Sequence, residues 1–474
     1  MKRFAIVLII LNLILLVGCQ RNDNINPNNG FEISNGTLIR YTGQDHFVTI
    51  PDEVTDIGPK AFLNCNHLYS LTIPKTIMSV CGDSFEGCYH LIEIFNQSPI
   101  GISKFIPNLK YDNQAENSLV SINNAGFVSY KNGNLNYLID YIGDLSEIII
   151  SNNYYRVDDY AFYQNEQIKK VIIADKVVEI GPYAFALMPN LESVGFGSGI
   201  RRIADYAFFN DYLLTSVKLS TDLLGLSSLS FAGCNRIVEL YNVYGFSSFI
   251  SYFPNVLLVH NNIDEKSHVY KIGDYTVLKD NDKIYLINVP ANKTQLNVPE
   301  GITDIRPFAF DDVNRVCRLV LPHSLKSFDN QVLNVLKHLI VLENASSVNI
   351  PFVNLYSGID IVETNDGVFG LYENERILII SLKNSEYLTA SNVSIVYQNA
   401  YADSSSLYLV LYLDVREINA NAFNYSKIKE VYYIGSREEY RFTLNKDVYY
   451  YSDVALPGYY WHFVGSKVEK WNIE

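Results

Sequence analysis

A pattern of apolar residues recurs along most of this chain and constrains its fold more than any other feature. Each copy has an apolar residue, a second four positions later, a third three later, an aromatic five later and a last apolar residue six later. The aromatic position returns every 23 residues, as at Phe162, Phe185, Phe208 and Phe231. A period of this length is typical of leucine-rich repeats. One copy cannot bury its own apolar side, so the copies must stack and share a core.

Eight copies follow the pattern closely, and two looser copies end near Tyr401 and Phe423. The pattern predicts a mostly β repeat solenoid with short turns or helical segments as the fold class. The aromatic position in the eight closer copies is occupied by Phe62, Phe85, Phe162, Phe185, Phe208, Phe231, Phe310 and Leu333.

Local sequence indicates where strands and turns lie within this period. Residues 68–73 predict a short strand, which Pro74 ends because proline has no N–H to donate to a ladder. Turn residues typical of hairpins recur near Asn35-Gly36 and at 130–133, 279–282 and 373–375. We therefore expect a repeat array over 31–440 in four tandem blocks, about 31–113, 114–262, 263–358 and 359–440, followed by an end segment over 441–474.

The N-terminus has the features of a targeting segment. Lys2 and Arg3 precede an apolar run over 4–17, which is too short to cross a bilayer. The next residues, Leu16-Val17-Gly18-Cys19, resemble the lipobox of bacterial lipoproteins. That resemblance implies removal of residues 1–18, a lipidated Cys19 that anchors the protein to a membrane, and a flexible tether over 19–30. The alternatives are an uncleaved anchor and an ordinary secretory signal.

The repeat also resembles a known family. The run from Ile50-Pro51 to Leu68, read as I-P-x-x-V-x-x-I-G-x-x-A-F-x-x-C-x-x-L, is similar to BspA-like leucine-rich-repeat surface proteins of bacteria. The C-terminal stretch 459–471 resembles an end segment found in such proteins. The resemblance implies a cell-surface or secreted binding protein, because several members attach to host matrix proteins or other cells.

Composition and motifs argue against several other functions. The chain has 37 Lys and Arg against 51 Asp and Glu, a net charge of −14, whereas nucleic-acid binders carry basic patches. The glycines of 195–199 lack the third position of a dinucleotide fingerprint, and 280–282 lacks the remainder of a calcium loop. We therefore expect no nucleic-acid partner and no cofactor, and no local signature predicts an enzyme.

The cysteines have a packing interpretation. Cys65, Cys88 and Cys234 each follow the aromatic position by three, where other copies have Met188 or Val313. A position that accepts methionine and valine is a core position, and a free cysteine packs there as a small apolar residue. We expect no metal site, and a Cys65–Cys88 disulfide between neighbouring repeats stays the alternative.

The strands present a candidate binding face, since the variable positions of L-x-x-V-x-I point away from the core. We assign to it Glu93, Phe95, Lys170, Lys218, Glu239, Tyr241, Glu430 and Tyr432. The predicted function is that of a non-catalytic, lipid-anchored protein of the bacterial cell envelope or surface that binds a host matrix or cell-surface protein. The alternative is a glycan-binding protein or an accessory subunit of an envelope complex.

Overall fold

A computed structural model describes residues 30–113, 117–220, 222–241, 247–261, 266–311, 313–352, 356, 358–383, 385–402, 404–465 and 467–471. The predicted signal peptide, Cys19 and the predicted tether up to residue 29 lie outside these residues. In the part of the chain that is described, no helix has the length and apolarity needed to cross a bilayer.

The fold is a β-solenoid with almost no helix, as the repeat predicts. Its strands in the first half of the chain are β1 (Phe31–Ser34), β2 (Thr37–Tyr41), β3 (Phe47–Thr49), β4 (Asp56–Ile57), β5 (Ser70–Ile73), β6 (Ser79–Val80), β7 (Glu93–Asn96), β8 (Tyr111–Asn113), β9 (Val120–Ile122), β10 (Phe127–Asn132), β11 (Leu135–Tyr141), β12 (Glu147–Ile150), β13 (Arg156–Val157), β14 (Lys170–Ile173), β15 (Glu179–Ile180), β16 (Ser193–Phe196), β17 (Arg202–Ile203), β18 (Ser216–Lys218), β19 (Gly225–Leu226) and β20 (Glu239–Tyr241).

The strands of the second half are β21 (Leu258–His260), β22 (Val269–Ile272), β23 (Tyr275–Asp280), β24 (Lys283–Asn288), β25 (Gln295–Asn297), β26 (Asp304–Ile305), β27 (Arg318–Leu321), β28 (Ser327–Phe328), β29 (Val341–Asn344), β30 (Asp360–Glu363), β31 (Gly367–Tyr372), β32 (Glu375–Ser381), β33 (Tyr387–Ala390), β34 (Ile395–Val396), β35 (Tyr408–Leu411), β36 (Glu417–Ile418), β37 (Glu430–Tyr433), β38 (Asp447–Tyr451), β39 (Tyr460–Val464) and β40 (Lys467–Lys470). The helical segments are the 3-10 turns Ser103–Phe105, Ser247–Tyr252 and Pro307–Phe310 and the single α-helical turn α1 (Val332–Val335).

Each repeat contributes one strand to each of two sheets. A strand of three or four residues, such as β14, pairs in parallel with its counterpart in the next repeat, and we call this the parallel sheet. A two-residue strand, such as β15, extends an antiparallel hairpin, and we call this the hairpin sheet. The apolar core lies between the two sheets, because alternate residues of each strand point inward.

The hairpins begin where the turn residues predict them. Strands β1 and β2 are joined at Asn35 and Gly36, which have positive φ angles of 48° and 78°. The pairs β10–β11, β23–β24 and β31–β32 are antiparallel in the same way. Asn281 and Glu373 also have positive φ in their turns, the conformation that tight hairpin turns require.

The chain forms two compact units. The first comprises the residues up to Asp211 together with Ser220–Cys234, and the second comprises Tyr212–Leu219 and Asn235–Glu474. In the first unit the hairpin sheets are β1-β2-β4-β6 and β9-β10-β11-β13-β15-β17-β19, and the parallel-sheet strands pair in the orders β3-β5-β7-β8 and β12-β14-β16. In the second unit the hairpin sheets are β22-β23-β24-β26-β28 and β30-β31-β32-β34-β36, and the parallel-sheet strands pair in the orders β18-β20-β21, β25-β27-β29 and β33-β35-β37-β38-β39-β40.

Stacked aromatic rings run through the core at the predicted positions. Phe185 lies between Phe162 and Phe208, with ring centroids 4.8 and 5.0 Å away and ring planes within 5°. Phe62 and Phe85 stack at 5.2 Å in the first repeats. The residue before each ring is a buried alanine or serine, because the turn leaves no room for a larger side chain.

The turns around Phe62, Phe162, Phe185 and Phe208 have left-handed backbone on both sides of the ring, whereas those around Phe85 and Phe231 have it only after the ring. Two residues before Phe185 and two after it, Tyr183 and Leu187 have φ of 55° and 59°. With this geometry the Phe185 N–H donates to the Ala207 carbonyl of the next repeat at 2.8 Å. The turns are therefore hydrogen-bonded from repeat to repeat, as the strands are.

Three expected core positions, Val80, Phe328 and Leu333, are only partly buried, although each packs against the core. In the repeat after Phe310, Val332 rather than Leu333 is the fully buried residue. The helical turn α1 replaces the left-handed turn there, so the inward-pointing position shifts by one residue.

Candidate binding surface

The outer face of the parallel sheet in the first unit has two regular rows of side chains. Glu147, Lys170 and Ser193 lie in register in one row, on β12, β14 and β16. Glu147 and Lys170 are exposed, and the Lys170 ammonium lies 3.7 Å from the Glu147 carboxylate. These side chains face solvent because the alternate residues of the same strands fill the core.

The second row on this face is apolar. Ile149 and Ile172 pair across β12 and β14, and their exposed fractions are 64% and 43%. Gly195 continues the row on β16. Sequence analysis did not select these isoleucines, although the run Ile148-Ile149-Ile150 must place its middle residue outside.

Glu93, by contrast, is fully buried at the start of β7. Its carboxylate accepts hydrogen bonds from the Ser118 hydroxyl at 2.7 Å, from the Leu119 N–H at 3.0 Å and from the Ser70 hydroxyl at 2.9 Å. These donors satisfy a charge that burial alone would make costly. Phe95, on the same strand, is half-buried. Its backbone pairs with Thr72 on β5 and with Asn113 on β8.

Glu239 has the same environment in the second unit. Its buried carboxylate accepts hydrogen bonds from the Ser267 hydroxyl at 2.7 Å and the His268 N–H at 2.9 Å, and it contacts His260 Nε2 at 2.9 Å. The shared signal in the sequence is Ser-x-Val, at 118–120 and 267–269. In both places the serine hydroxyl also accepts the N–H of the valine, at 3.1 Å.

The neighbours of Glu239 on this face are also largely covered. Tyr241 is fully buried, and its ring stacks on His260 with centroids 4.4 Å apart. Lys218 is partly exposed, with its ammonium 5.0 Å from the centre of the Tyr241 ring.

The last two residues of the predicted face contact the C-terminal segment. Glu430 is half-buried and accepts hydrogen bonds from Lys470 at 2.8 Å and from the Tyr432 hydroxyl at 2.5 Å. Burial opposes ionisation of Glu430, but these two hydrogen bonds hold its pKa below the usual value. Tyr432 is buried against Trp461, whose indole N–H donates to the Tyr433 carbonyl at 3.0 Å.

The predicted residues therefore do not form one open surface. Lys170 is exposed, whereas Phe95, Lys218 and Glu430 are partly covered. Glu93, Glu239, Tyr241 and Tyr432 are buried in this structure, because the next segment of the chain after each of those strands packs over the face where they point. Within the first unit, Glu93 and Phe95 lie in a different sheet from Lys170.

A row of stacked tyrosines lies along the turns of the first unit. It consists of Tyr89, Tyr160, Tyr183 and Tyr206, and we call it the tyrosine row. Its neighbouring centroids lie 4.2, 5.2 and 5.3 Å apart, and all four side chains are half-buried. The rings of Tyr163 and Phe209 cross the row at steep angles. Sequence analysis missed this row, although tyrosine precedes the core phenylalanine by two in three consecutive repeats.

Three tyrosines of the row have a pKa above the usual value. Burial, followed by the neighbouring tyrosines, raises the pKa of Tyr160 to about 12. Burial likewise raises the pKa of Tyr89 and Tyr183. Tyr160, Tyr183 and Tyr206 all have positive φ, a conformation that bulky residues adopt rarely, so the repeat turn holds their rings side by side.

A buried ionic group lies next to the tyrosine row. The ring of His90 lies 3.2 Å from the Asp140 carboxylate, which also accepts the Tyr69 hydroxyl at 2.7 Å. Burial opposes the charge on His90, but Asp140 outweighs that effect and raises the pKa of His90 to about 9. His90 and Tyr69 are buried, Asp140 is partly buried, and all three have hydrogen-bond partners, so they are suited to hold repeats together.

The cysteines occupy core positions, as expected. Cys65, Cys88 and Cys234 are buried, and the Cys88 and Cys234 thiols donate to backbone carbonyls of the preceding repeat at 2.8 and 2.7 Å. The structure holds Cys65 and Cys88 as free thiols. Over the described ranges, no group of three or more His, Cys, Asp and Glu side chains is placed to hold a metal ion.

Comparison with solved structures finds bacterial leucine-rich-repeat proteins. A leucine rich cell surface protein from Faecalibacterium prausnitzii is 18% identical, with a TM-score of 0.24, over 87% of this chain and 96% of that one. The pneumococcal vaccine antigen PcpA is 13% identical, with a TM-score of 0.30, over 67% and 83% of the two chains. A leucine-rich repeat protein from Bacteroides ovatus is 15% identical, with a TM-score of 0.21, over 90% and 97%. A comparison with curated proteins gives no match.

A sequence profile described as BspA type leucine rich repeat region, in six copies, matches residues 32–132, 135–253, 260–356 and 379–451. These ranges contain the stacked phenylalanines and strands of both sheet types. The chain therefore belongs to the BspA-type leucine-rich-repeat family.

Proposed function

We propose that this protein is a lipid-anchored, non-catalytic binding protein of the bacterial cell envelope, displayed at the surface, which binds a host matrix or cell-surface protein through its parallel sheets. The observation that carries the proposal is the pair of outward rows on β12, β14 and β16. A charged and polar row beside an apolar row, held in register by the solenoid, offers a partner both hydrogen bonds and apolar contact.

Family membership supports the binding role, because stacked repeats create extended surfaces that such proteins use for recognition. The described site has a broad sheet face at its centre, and the ionisable pair His90 and Asp140 lies away from that face among its own hydrogen-bond partners. That arrangement favours structural charges over catalytic ones.

A screen for partners tests the binding role. The chain from residue 20 is immobilised and exposed to purified matrix proteins and, in parallel, to polysaccharides. We expect saturable binding to at least one protein, weakened by Lys170→Glu in the outward row. Lys293→Glu, an exposed lysine of the second unit, is the matched control and should leave binding unchanged. Saturable binding to polysaccharides alone would contradict the proposal.

The tyrosine row favours glycan binding as a second candidate function. Sugar rings pack their C–H groups on aromatic side chains, and Tyr163 and Phe209 lie at the edge of the row as partly exposed rings. In the same screen, polysaccharide binding that is lost in Tyr163→Ala and kept in Lys170→Glu would support this candidate.

Anchoring depends on Cys19, outside the described residues, and has its own test. The variant Cys19→Ala should move the protein from the detergent phase to the aqueous phase, because two acyl chains are needed for stable attachment. Unchanged partitioning would contradict lipid anchoring and leave the binding role untouched.

A further inference from the structure

Strand β12 begins the parallel strand order β12-β14-β16 and has an open edge. Strand β12 is the terminal strand of its sheet and pairs in parallel with β14. In that pairing the Lys170 N–H donates to the Ser146 carbonyl and the Ala174 N–H donates to the Ile150 carbonyl. Backbone groups alternate in direction along a strand, so the N–H and C=O groups of Glu147 and Ile149 point away from β14.

This edge strand is short and has one charged residue, Glu147, but the described residues place no lysine, proline or bulge on it. Natural proteins cover exposed edges or place lysine, proline or a bulge on them. Here Ile149 is 64% exposed, and Leu145, just before the strand, is 58% exposed. Ile172 extends the apolar surface onto the next strand. An extended chain that added to the edge would cover these side chains and pair with the free backbone groups.

The charges at the edge indicate which kind of strand fits. Asp144 and Glu147 are both exposed beside the apolar residues, and the nearby Lys170 lies on the side of β14. Opposite charges on neighbouring strands stabilise pairing, and like charges oppose it. A strand that alternates apolar with basic residues is therefore complementary to this edge.

We infer that β12 is a β-strand docking site that binds an extended, apolar and basic segment of the partner protein. The inference rests on the proposed function, and it names the place and the mode of recognition. Backbone hydrogen bonds from Glu147 and Ile149 supply the pairing, and Ile149, Ile172 and Leu145 supply apolar contact.

The comparison with β3, the edge strand of the first repeats, sharpens the inference. The Ser70 N–H donates to the His46 carbonyl and the Ile50 N–H to the Thr72 carbonyl, so Phe47 and Thr49 direct their backbone groups outward. The side chains in register on the neighbouring strand β5, Ser70 and Thr72, are polar. Strand β3 therefore lacks the apolar continuation that β12 has.

The test uses the full chain and a labelled synthetic peptide in which lysine alternates with valine. Fluorescence anisotropy should show saturable binding, and hydrogen exchange at the amides of Glu147 and Ile149 should slow at saturation. Ile149→Pro removes one outward N–H without touching the ladder to β14 and should weaken binding at least tenfold. Thr49→Pro, the matched change on β3, should change it less than twofold.

A charge-reversal variant keeps the test independent of the proline. Glu147→Lys should weaken binding of the lysine peptide severalfold and strengthen binding of the same peptide with glutamate in place of lysine. Equal affinity of wild type, Ile149→Pro and Glu147→Lys would overturn the inference, as would protection confined to other strands. Self-association of the full chain that Ile149→Pro abolishes would identify a second copy as the occupant and also overturn it.

The two proposals fail differently. A matrix protein that binds wild type and Ile149→Pro equally would leave the proposed function standing and remove the docking site. Binding of the lysine peptide at β12, with no protein partner in the screen, would keep the docking site and count against the proposed function.

Discussion

The regular repeats of the first unit and the last repeats of the second unit have the same ring-bearing turn, but the stacking distances and angles of the rings differ. In the first unit, four phenylalanines stack at 4.8 to 5.0 Å with planes within 6° of one another. In the last repeats the ring pair is Tyr401 and Phe423, at 5.4 Å and 14°. Paired residues there are 21 or 22 apart, as in Tyr387–Tyr408 and Tyr408–Glu430. The sheet ladder therefore tolerates a shorter repeat, with looser ring packing as the consequence.

The two regions also differ in how they join the preceding repeats. The hairpin of the regular repeats is held by the His90–Asp140–Tyr69 group together with an apolar cluster that includes Ile92 and Ile139. The hairpin sheet of the last repeats packs through an apolar cluster that includes Ile340 and Ile377, and Glu363 of β30 pairs with Arg315. A histidine takes part in the first of these junctions, and its charge changes with pH, so the two regions should respond differently to titration.

The largest expected difference between the regions is the cost of removing a ring. Phe185→Ala leaves a cavity between two stacked neighbours and should lower the free energy of unfolding by about 4 kcal/mol. Phe423→Ala should cost roughly half as much, because Phe423 keeps 8% of its surface exposed and the described contacts stack it on Tyr401 alone. Urea unfolding followed by circular dichroism, with hydrogen exchange to locate the loss, measures both. Equal costs would contradict the difference in packing.

The second prediction concerns pH. The pKa of His90 is raised to about 9 in the folded state, so its stabilisation is complete below the unfolded value near 6.5 and is lost as pH rises through about 9. The pKa of Asp140 is lowered despite its burial, chiefly by the charge of His90, so its contribution is lost only as pH falls through that lowered value. Between pH 6.5 and 10 we expect a loss on the order of 2–3 kcal/mol at this junction.

Hydrogen exchange of the hairpin β10–β11 across this pH range measures the effect. His90→Gln should remove the pH dependence, and His323→Gln, which alters an exposed histidine paired with Glu300, should not. The hairpin β31–β32 of the last repeats should show no corresponding change. A pH dependence that survives in His90→Gln would assign the effect to other groups.

The smallest predicted effect is a gain in stability. The Tyr401 hydroxyl is buried and has no hydrogen-bond partner among the described residues, and burial raises its pKa. Tyr401→Phe should therefore stabilise the last repeats by about 1 kcal/mol, since it removes an unsatisfied polar group. The reciprocal change Phe185→Tyr should destabilise the first unit. Thermal unfolding of both variants measures the two changes in stability. Destabilisation by Tyr401→Phe would contradict the prediction, because it would mean that the hydroxyl stabilises the fold.

The sequence predicts the fold well because its signal is repeated. The 23-residue period places Phe62, Phe85, Phe185 and Phe208 in the core without knowledge of any contact, since only one phase lets all copies share an interior. The exceptions include Leu333, which lies where a helical turn changes the local phase. A single divergent copy gives too few residues to detect such a change.

The candidate site was harder to predict, because the exposure of a strand residue depends on which other segment of the chain packs against that strand. Glu93 and Lys170 occupy the same position of their repeats, and one is buried while the other is exposed. The difference comes from Ser118 and Leu119, which fold back on Glu93 some 25 residues later in the chain. The open edge of β12 likewise depends on where one sheet ends and another begins.

The amino-acid sequence by itself determined the repeat length, the inward positions, the hairpin turns and the family, because each can be read from spacing along one chain. The tertiary structure alone decided which outward residues reach solvent, which rings stack in the tyrosine row and which strand keeps an open edge. Those properties depend on contacts between segments far apart in the sequence, and the local periodicity of apolar residues does not specify such contacts.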